Sequence, residues 1–408
     1  MNTARTLAYG ALGLPLAFAA LPIYVHVPKL YAEHAGLALG LLGGLLLVAR
    51  LLDAFSDPLL GWLADRLPKR LLIGVALLPL GAGFFLLMHP AAQHPALWLG
   101  VALVLTYLGF SAATIAYQAW GADLGSDAGS RTRLVAAREG LGLLGVLLAA
   151  ALPSLLAPNL ADGLAMLAWV FLALLAVGAA ISLSLRAAPP AAGSAVALWP
   201  ALQTALHDAR LRRLLLIFVA NGIAAALPAT LVLFFVADVL GAEAWAGAFL
   251  ALYFAAGVAG LPLWVRLAAR WGRERAWLLS MAIAASAFVW AALLGPGDLL
   301  GFALVCLATG LALGADLTLP AAMAADIGER LRLPGAVFGL WNFLNKLNLA
   351  LAAGLALPLL GWLGYRPGDS SADGVLALTA VYALLPLAFK AVAAALLWPR
   401  SNLTEKFA

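Results

Sequence analysis

Long apolar segments, separated by short polar ones, recur along the whole chain. Each has about 20 residues or more, enough for an α-helix to cross roughly 30 Å of hydrocarbon. Interior glycines and prolines do not exclude helices, because neighbouring helices in a membrane can satisfy the freed backbone groups. The pattern predicts twelve membrane-spanning helices, spans 1 to 12 in chain order, over residues 7–28, 36–62, 71–88, 96–120, 134–157, 163–186, 211–238, 244–270, 276–294, 299–325, 335–362 and 373–398.

The polar segments indicate how these spans are grouped and oriented. The longest one divides them six and six, which predicts an N-terminal six-helix bundle (1–186), a cytoplasmic linker (187–210), a C-terminal six-helix bundle (211–400) and a cytoplasmic tail (401–408). Basic loops follow spans 2 and 8, the corresponding place in each half, which suggests weak internal symmetry. Of the 24 Lys and Arg residues, 18 lie on one side of the membrane in this topology and 2 on the other, so both termini are predicted to be cytoplasmic.

The composition supports a membrane protein and excludes several other classes. Hydrophobic residues make up 65% of the chain and charged residues 11%, against about 45–50% and about 25% in soluble proteins. The basic loops account for the net charge of +5 without a nucleic-acid partner. The first span is longer than a signal-peptide core, and we expect it to be retained. The single cysteine, Cys306, excludes an internal disulfide and a Cys-x-x-Cys metal site.

Two aspartates, Asp53 and Asp57, lie within span 2. A carboxylate in hydrocarbon costs from roughly 2.5 to well above 10 kcal/mol, so such acids usually face a bundle interior, a partner or a water-filled cavity. Their i, i+4 spacing puts both on one helix face. We therefore expect them to hold one cation, either Na⁺, which by extension from Ca²⁺ and Mg²⁺ takes several oxygen ligands, or H⁺. The alternative is that Asp53 pairs with Arg50 and Asp57 only caps or packs.

The segment around these acids, Arg-Leu-Leu-Asp-Ala-Phe-Ser-Asp-Pro-Leu-Leu-Gly-Trp-Leu-Ala-Asp-Arg over residues 50–66, is the most specific signal in the chain. It resembles the Arg-x-x-Asp-Ala-x-x-Asp-Pro-x-x-Gly motif on the second helix of the glycoside-pentoside-hexuronide:cation symporters, the melibiose-permease-like branch of the major facilitator superfamily. The likeness continues through Tyr117–Leu124, Arg131–Arg133, Arg138, Gly314–Asp316, Ala325–Ile327 and Lys346.

The resemblance implies an all-α membrane protein of 12 transmembrane helices with the major facilitator fold, built from two six-helix pseudo-symmetric bundles. It also implies a cation-coupled symporter, which we expect to be a monomer in a bacterial inner membrane. The cation site would comprise Asp53, Asp57, Ser56 and, from span 4, Thr114. Apart from the coupling ion no cofactor is expected. No His-Glu-x-x-His or Gly-x-Ser-x-Gly motif occurs, which argues against an enzyme.

The resemblance further implies residues for substrate binding, coupling and gating. Those for substrate binding or coupling are Tyr117, Trp120, Arg138, Asp316, Trp341 and Lys346, and those for gating are Arg50, Asp65, Arg66, Asp326 and Arg330. Lys346 would pair with Asp53 or Asp57, either as a static salt bridge or as a partner that the cation displaces. Asp316 would contact the substrate or pair with Lys346. Lys390, on span 12, is expected to be a headgroup-contacting or structural lysine.

The chain departs from the sugar-transporting members at two acids. Those members carry one acid on the first helix and one on the fourth, whereas here residues 10–16 are apolar and the fourth helix has Ala116 or Tyr117. Each buried sugar hydroxyl left without an acceptor would cost roughly 1–3 kcal/mol. An amphipathic, lysolipid-like solute is therefore expected as an alternative to a glycoside-like one, and a proton-coupled exporter of amphipathic compounds is an alternative function.

Overall fold

A computed structural model describes residues 3–37, 39–91, 93–157, 159–185, 196–365 and 371–398. Over these residues the chain is almost entirely helical and contains no β-strand. The α-helices are α1 (Thr3–Gly10), α2 (Gly13–Leu21), α3 (Val27–Glu33), α4 (Leu39–Arg66), α5 (Lys69–Met88), α6 (Pro95–Leu124), α7 (Ala128–Leu156), α8 (Leu160–Leu183), α9 (Leu198–His207), α10 (Ala209–Phe234), α11 (Ala246–Trp271), α12 (Arg273–Ala291), α13 (Leu299–Leu331), α14 (Pro334–Trp362), α15 (Ala372–Thr379) and α16 (Leu385–Leu397). Short π-helical segments cover Pro22–His26, Phe235–Val239 and Ala380–Leu384, and a 3₁₀ turn covers Glu243–Trp245.

Each predicted span coincides with one of these helices or with a run of them. Nine helical segments among the described residues are long and apolar enough to cross a membrane, and they correspond to spans 1, 3 to 8, 10 and 12. Spans 2, 9 and 11 coincide with α4, α12 and α14. Several helices extend beyond their apolar segment, because polar residues continue the helix. The added turns at the ends of α4, α6 and α13 carry many of the charged contacts described below.

The first span is interrupted, although the sequence pattern predicts one continuous helix. The chain turns at Ala11–Leu12 between α1 and α2. Ser182, on α8, accepts a hydrogen bond from the Leu12 N–H (3.0 Å) and donates one to the Ala8 carbonyl (2.8 Å). At Gly13 an added Cβ would lie 2.6 Å from the carbonyl oxygen of Arg138, so the interruption is pressed against α7. Backbone groups freed inside a membrane need such partners.

The chain divides into two compact units. Unit 1 comprises Met1–His207 and Ala324–Phe343, and unit 2 comprises Asp208–Met323 and Leu344–Ala408. Residues 324–343, from the end of α13 and the start of α14, thus pack with the N-terminal helices. The division into bundles 1–186 and 211–400 stays a prediction. The predicted linker contains α9, whereas residues 187–195 and the predicted tail 401–408 lie outside the described residues.

Aromatic side chains organise the interior of each unit. In unit 1, Phe171 packs against Phe84 with ring centroids 4.2 Å apart. In unit 2, Phe235 stacks on Tyr382 at 4.1 Å, and both belong to π-helical segments. These contacts join helices that are far apart in the sequence, so they help to hold the scaffold on which the polar sites are built.

Candidate functional site

The two aspartates of α4 are buried and face the helix bundle of unit 1. Asp53 is 3% exposed and Asp57 0%. The Ser111 hydroxyl, on α6, donates to Asp53 Oδ1 at 2.5 Å. Because residues four apart share a helix face, Asp57 lies on the α6-facing side of α4 together with Asp53. Burial of both acids away from lipid is the placement that a cation or proton site requires.

Hydroxyl groups on α4 and α6 are available near this pair of acids. Ser56 donates to the Asp53 backbone carbonyl at 2.8 Å, which leaves its hydroxyl oxygen able to coordinate a cation. Two contacts show that α4 and α6 run in the same direction. Asp53, within α4, accepts from Ser111, and Lys69, just beyond the end of α4, pairs at 2.9 Å with Asp123, which is later on α6 than Ser111. Thr114 therefore lies one turn further along α6, towards the level of Asp57. Its hydroxyl is buried and makes no hydrogen bond.

Ser111 is a site residue that the sequence analysis missed. The signal was present, because Ser111 and Thr114 are three residues apart and therefore share one face of span 4. Among the described residues, no group of three or more His, Cys, Asp or Glu side chains is placed to hold a metal ion. A metal cation at Asp53 and Asp57 would therefore need the oxygens of hydroxyl or carbonyl groups as further ligands.

An aromatic cluster joins the first span to α6. Tyr9 lies 4.5 Å from Tyr117 and 5.8 Å from Trp120, measured between ring centroids. The Tyr9 hydroxyl donates to the Tyr117 carbonyl at 3.0 Å, and the Tyr117 hydroxyl donates in return to the Tyr9 carbonyl. The structure thus brings the predicted substrate residues Tyr117 and Trp120 together. It adds Tyr9, which an apolar stretch of sequence gave no reason to select.

Arg138 approaches the same cluster from α7. Its Nε and Nη2 both donate to Glu139 Oε1, at 2.9 and 2.5 Å, and it interacts with Tyr9. Two buried donors in this region, Arg138 Nη1 and the Trp120 indole N–H, make no hydrogen bond. An unsatisfied buried donor costs about 1–3 kcal/mol. Together they indicate a place where acceptor atoms of a solute would be stabilised.

Asp65, at the end of α4, holds the start of α14. Its Oδ1 accepts from the Gly335 N–H at 2.6 Å and its Oδ2 from the Ala336 N–H at 2.8 Å. These are free N–H groups of a helix N-terminus, which favours negative charge. Burial nevertheless raises the pKa of Asp65, three residues beyond the predicted span, from 3.8 to about 6, against the opposing effect of the two backbone hydrogen bonds. The backbones of α4 and α14 also touch, since a Cβ at Gly339 would lie 2.6 Å from the Asp57 carbonyl oxygen.

Arg131, on α7, connects to the end of α13. Its Nη1 pairs with Asp326 at 2.9 Å, and its Nη2 pairs with Glu329. Its Nε donates to the Ala122 carbonyl at 3.2 Å. Asp326, a predicted gating residue, is thus placed in an ion pair. Arg330, also predicted, has an exposed side chain.

Arg66, at the end of α4, contacts the linker. Its guanidinium lies 4.1 Å above the Trp62 ring, and its Nη2 donates to the Val196 carbonyl at 2.9 Å. The Trp62 indole donates to the same carbonyl at 2.9 Å. Beyond Val196, Ala201 of α9 packs with Leu333 and Ala336. The linker helix therefore covers the junction of α4 with α14.

On α14, Trp341 is buried and lies next to Asn342, whose amide donates to Gln118 Oε1 on α6 at 2.6 Å. Further along the helix, in unit 2, Lys346 is half-buried, and Arg50 on α4 of unit 1 is exposed. The pairing of Lys346 with Asp53 or Asp57 stays a prediction.

Unit 2 contains a second buried polar group, centred on Asp316. The Trp277 indole donates to Asp316 Oδ1 at 2.7 Å, and Lys390 donates to Oδ2 at 3.1 Å and to Asn221 Oδ1 at 2.8 Å. The structure thus gives Asp316 the partner Lys390, and its predicted pairing with Lys346 stays a prediction. Of the two roles predicted for Lys390, contact with a lipid headgroup is wrong, because its side chain is buried among helices; the ion pair with Asp316 fits the structural role.

A buried acidic pair, a cluster of aromatic and charged side chains and charged helix ends are all held on long apolar helices, the arrangement of a polytopic helical membrane protein. A family model described as MFS/sugar transport protein matches residues 6–405. The chain therefore belongs to this family of the major facilitator superfamily. The predicted fold class, an all-α membrane protein with the major facilitator fold, is confirmed, and twelve spans are consistent with it. The protein is a multi-pass membrane transporter and not an enzyme.

Solved structures show the same fold at low sequence identity. The transporter FucP in its outward conformation matches with a TM-score of 0.71 and 13% identity, over 95% of this chain and 98% of that one. The human organic anion transporter MFSD10 matches with a TM-score of 0.71 and 16% identity, over 96% and 100% of the two chains. The proton:xylose symporter XylE matches with a TM-score of 0.71 and 13% identity, over 97% and 94%. The melibiose-permease-like branch stays a prediction.

Proposed function

We propose that this transporter is a cation-coupled symporter in which Na⁺ or H⁺ binds between Asp53 and Asp57. Family membership supports secondary transport by alternating access. The observation that carries the coupling is the burial of two acids on one face of α4, with the Ser111 hydroxyl of α6 bonded to one of them. Two close carboxylates in a membrane interior repel each other, so a bound cation or a shared proton stabilises the pair.

The ligands differ for the two ions. A sodium ion would take oxygens from both carboxylates and from the hydroxyls of Ser56, Ser111 and Thr114. A proton would need only the two carboxylates. Both ions would neutralise part of the buried charge and lower the free-energy barrier to movement of the helices that carry it. Lys346 would be the competing cation before the ion arrives.

The solute site of the proposal is the cluster of Tyr9, Tyr117, Trp120 and Arg138 with Glu139. Flat aromatic faces suit the apolar surface of a sugar ring or an acyl chain, and the buried donors of Arg138 and Trp120 suit solute acceptors. FucP and XylE are named as proton symporters of fucose and xylose, and MFSD10 as an organic anion transporter. A glycoside-like solute and an amphipathic solute are therefore the two classes to test. Trp341 and Asp316 would act from α14 and α13.

The gating part of the proposal is the group of contacts at the ends of α4, α7, α13 and α14. Alternating access requires these contacts to separate when the site opens on their side, which the positive-inside pattern predicts to be the cytoplasm. We further propose a monomer in a bacterial inner membrane with both termini cytoplasmic. The gating residues are Arg50, Asp65, Arg66, Asp326 and Arg330, with Arg131 added from the structure.

A thermal-shift panel on the purified protein tests the coupling site. The melting temperature is measured with and without Na⁺, at several pH values, over sugars, organic acids and lysolipids. We expect a solute that stabilises the protein more strongly with the coupling ion, because ion and solute favour the same state. Asp57→Asn should abolish the ion effect, and Asp373→Asn, an exposed acid of α15, should retain it.

An ion response that survives in a folded Asp57→Asn variant would show that the site is wrong. Uptake into proteoliposomes then gives the direction of transport. Accumulation driven by an inward cation gradient supports symport, whereas extrusion driven by a proton gradient identifies the exporter of amphipathic compounds.

A further inference from the structure

We propose that the hydrogen bond between Gln118 and Asn342 couples cation binding to the docking of α14 on α4 and α6. This inference rests on the proposed cation site at Asp53 and Asp57, and it adds a positioning pair to that site. The Asn342 amide donates to Gln118 Oε1 at 2.6 Å. Both residues belong to unit 1, although the later part of α14 belongs to unit 2. The bond therefore holds the start of α14 among the N-terminal helices.

Gln118 lies on the face of α6 that carries the hydroxyls of the proposed cation site. Ser111, Thr114 and Gln118 follow one another at spacings of three and four residues, which places them side by side along one helix face. Ser111 donates to Asp53 at 2.5 Å, so this face is turned towards α4. Gln118 is 9% exposed. It thus lies one helical turn from Thr114, beside the place where the cation would bind.

The start of α14 lies against the same two helices. An added Cβ at Gly339 would lie 2.6 Å from the Asp57 carbonyl oxygen, so the two backbones touch beside the acid pair. Gly335, one turn earlier, lies so close to Gly61 that an added Cβ would overlap the Gly61 carbonyl. Gly335, Gly339 and Asn342 share one face of α14. Docking of this face therefore brings the Asn342 amide to α6 and the α14 backbone to Asp57 at the same time.

The amide of Asn342 is held in one orientation. Its Nδ2 donates to the Phe338 carbonyl at 2.8 Å as well as to Gln118, and a side-chain amide nitrogen has two hydrogens to donate. In the reversed orientation the amide oxygen would face the Phe338 carbonyl oxygen, which repels it. Asn342 therefore requires the oxygen of Gln118, so the bond forms only when α6 and α14 are in this register.

The docked position of α14 favours a bound cation for two reasons. The backbone contact helps to exclude water from Asp57, which is 0% exposed, and a cation is attracted more strongly to an acid in a medium of low dielectric constant. The bond to Gln118 also fixes α6, so that the Thr114 hydroxyl is already in place to coordinate. By linkage, a bound cation stabilises the docked helix by the same factor by which docking raises the cation affinity.

Cysteine labelling measures this docking. Val337 on α14 and the single native cysteine, Cys306, are both buried, so maleimide should label Val337→Cys only when the start of α14 separates from its neighbours. Na⁺ is the first probe, and pH 6 against pH 8 is the second. Each rate is divided by that of the exposed reporter Asp373→Cys, which removes the reagent's own dependence on pH. With the coupling ion, labelling at Val337→Cys should be roughly 5- to 150-fold slower.

Removal of either amide should weaken docking and also its dependence on the ion. Asn342→Leu and Gln118→Leu keep a side chain of similar size. In each, labelling without the ion should rise about three- to tenfold, as expected for the loss of one hydrogen bond, and the ion should slow labelling little or not at all. Asn345→Leu, which replaces an exposed amide of the same helix, should change neither quantity. The exchange of Gln118→Asn with Asn342→Gln keeps the combined length of the pair and should restore the ion effect.

A purely structural bond would give a different result. Labelling would then rise in Asn342→Leu while the ion still slowed it by the wild-type factor, and this outcome overturns the proposal. Unchanged labelling in Asn342→Leu overturns it as well. Thermal unfolding of each variant shows that the labelled protein is folded. Failure of the cation site itself is recognised separately, because neither ion would then slow labelling in the reporter without further substitutions, which overturns the coupling together with the site.

Discussion

Ser111 and Thr114 show how single hydroxyl groups differ in what they do at a buried acid. Ser111 donates to Asp53, so its hydroxyl stabilises the carboxylate whether or not an ion is bound. The Thr114 hydroxyl makes no hydrogen bond and is buried on the same face of α6. A polar group that is buried without a partner destabilises the fold. The Thr114 hydroxyl would gain a partner by acting as an ion ligand.

Replacing these two hydroxyls should therefore have different effects. Ser111→Ala removes a donor to a charged group and should reduce stability by about 1.5–3 kcal/mol in the absence of the ion. Thr114→Val keeps the side-chain shape and should leave the ion-free melting temperature unchanged or higher, yet it should weaken the stabilisation by Na⁺. Sodium titrations followed by thermal shift measure both effects. Ser286→Ala, an exposed serine of unit 2, is the control. An unaltered sodium response in Thr114→Val would remove Thr114 from the site.

Asp65 makes the contact between α4 and α14 sensitive to pH. Its pKa of about 6 in this packing exceeds the ordinary value of 3.8, because burial disfavours the charged form. The packed state therefore binds the proton more tightly than a state in which Asp65 is solvated. The stabilisation is complete below the ordinary pKa and is lost as the pH rises through about 6.

Asp65→Asn should remove this dependence. The melting temperature of the wild-type protein, relative to the variant, should fall between about pH 4 and pH 6, by an amount that corresponds to at most about 3 kcal/mol. Asp373→Asn, which replaces an exposed acid that does not act on Asp65, serves as the control and should keep the slope. If the difference in melting temperature between the wild-type protein and Asp65→Asn did not vary with pH, burial of Asp65 would not be a source of pH-dependent stability.

At the scale of helices, the length of each apolar segment was enough to predict the position of a helix. Continuous apolar segments can only cross a membrane as helices, so all twelve predicted spans coincide with helices. The interruption of span 1 was missed, because Ala11–Leu12 is apolar like its surroundings. The Ser182 hydroxyl that satisfies it comes from α8, far away in the sequence. The same limit applies to the polar contacts: the i, i+4 acids follow from local spacing, but Ser111, Tyr9 and Lys390 follow only from packing.

At the scale of the whole molecule, the grouping of residues 324–343 with the N-terminal helices locates the contacts that alternating access must break. Asp65 holds the start of α14, Arg131 holds the end of α13, and α9 packs beside both. Arg131 contributes two ion pairs to this group, one with Asp326 and one with Glu329. The exposed neighbour Arg133 lies on the same helix and offers a matched control.

Arg131→Gln should favour separation of these helix ends. The loss of two charge-assisted contacts, one of them to the partly exposed Glu329, should cost about 1.5–3 kcal/mol, which corresponds to a rise in opening of about tenfold to a hundredfold. The single native cysteine, Cys306, is buried, so the substitution Val337→Cys on α14 provides a reporter. Its maleimide labelling rate in membranes should increase with Arg131→Gln and stay unchanged with Arg133→Gln. Equal labelling in all three backgrounds would mean that Arg131 contributes to folding only, because opening would then not depend on its ion pairs.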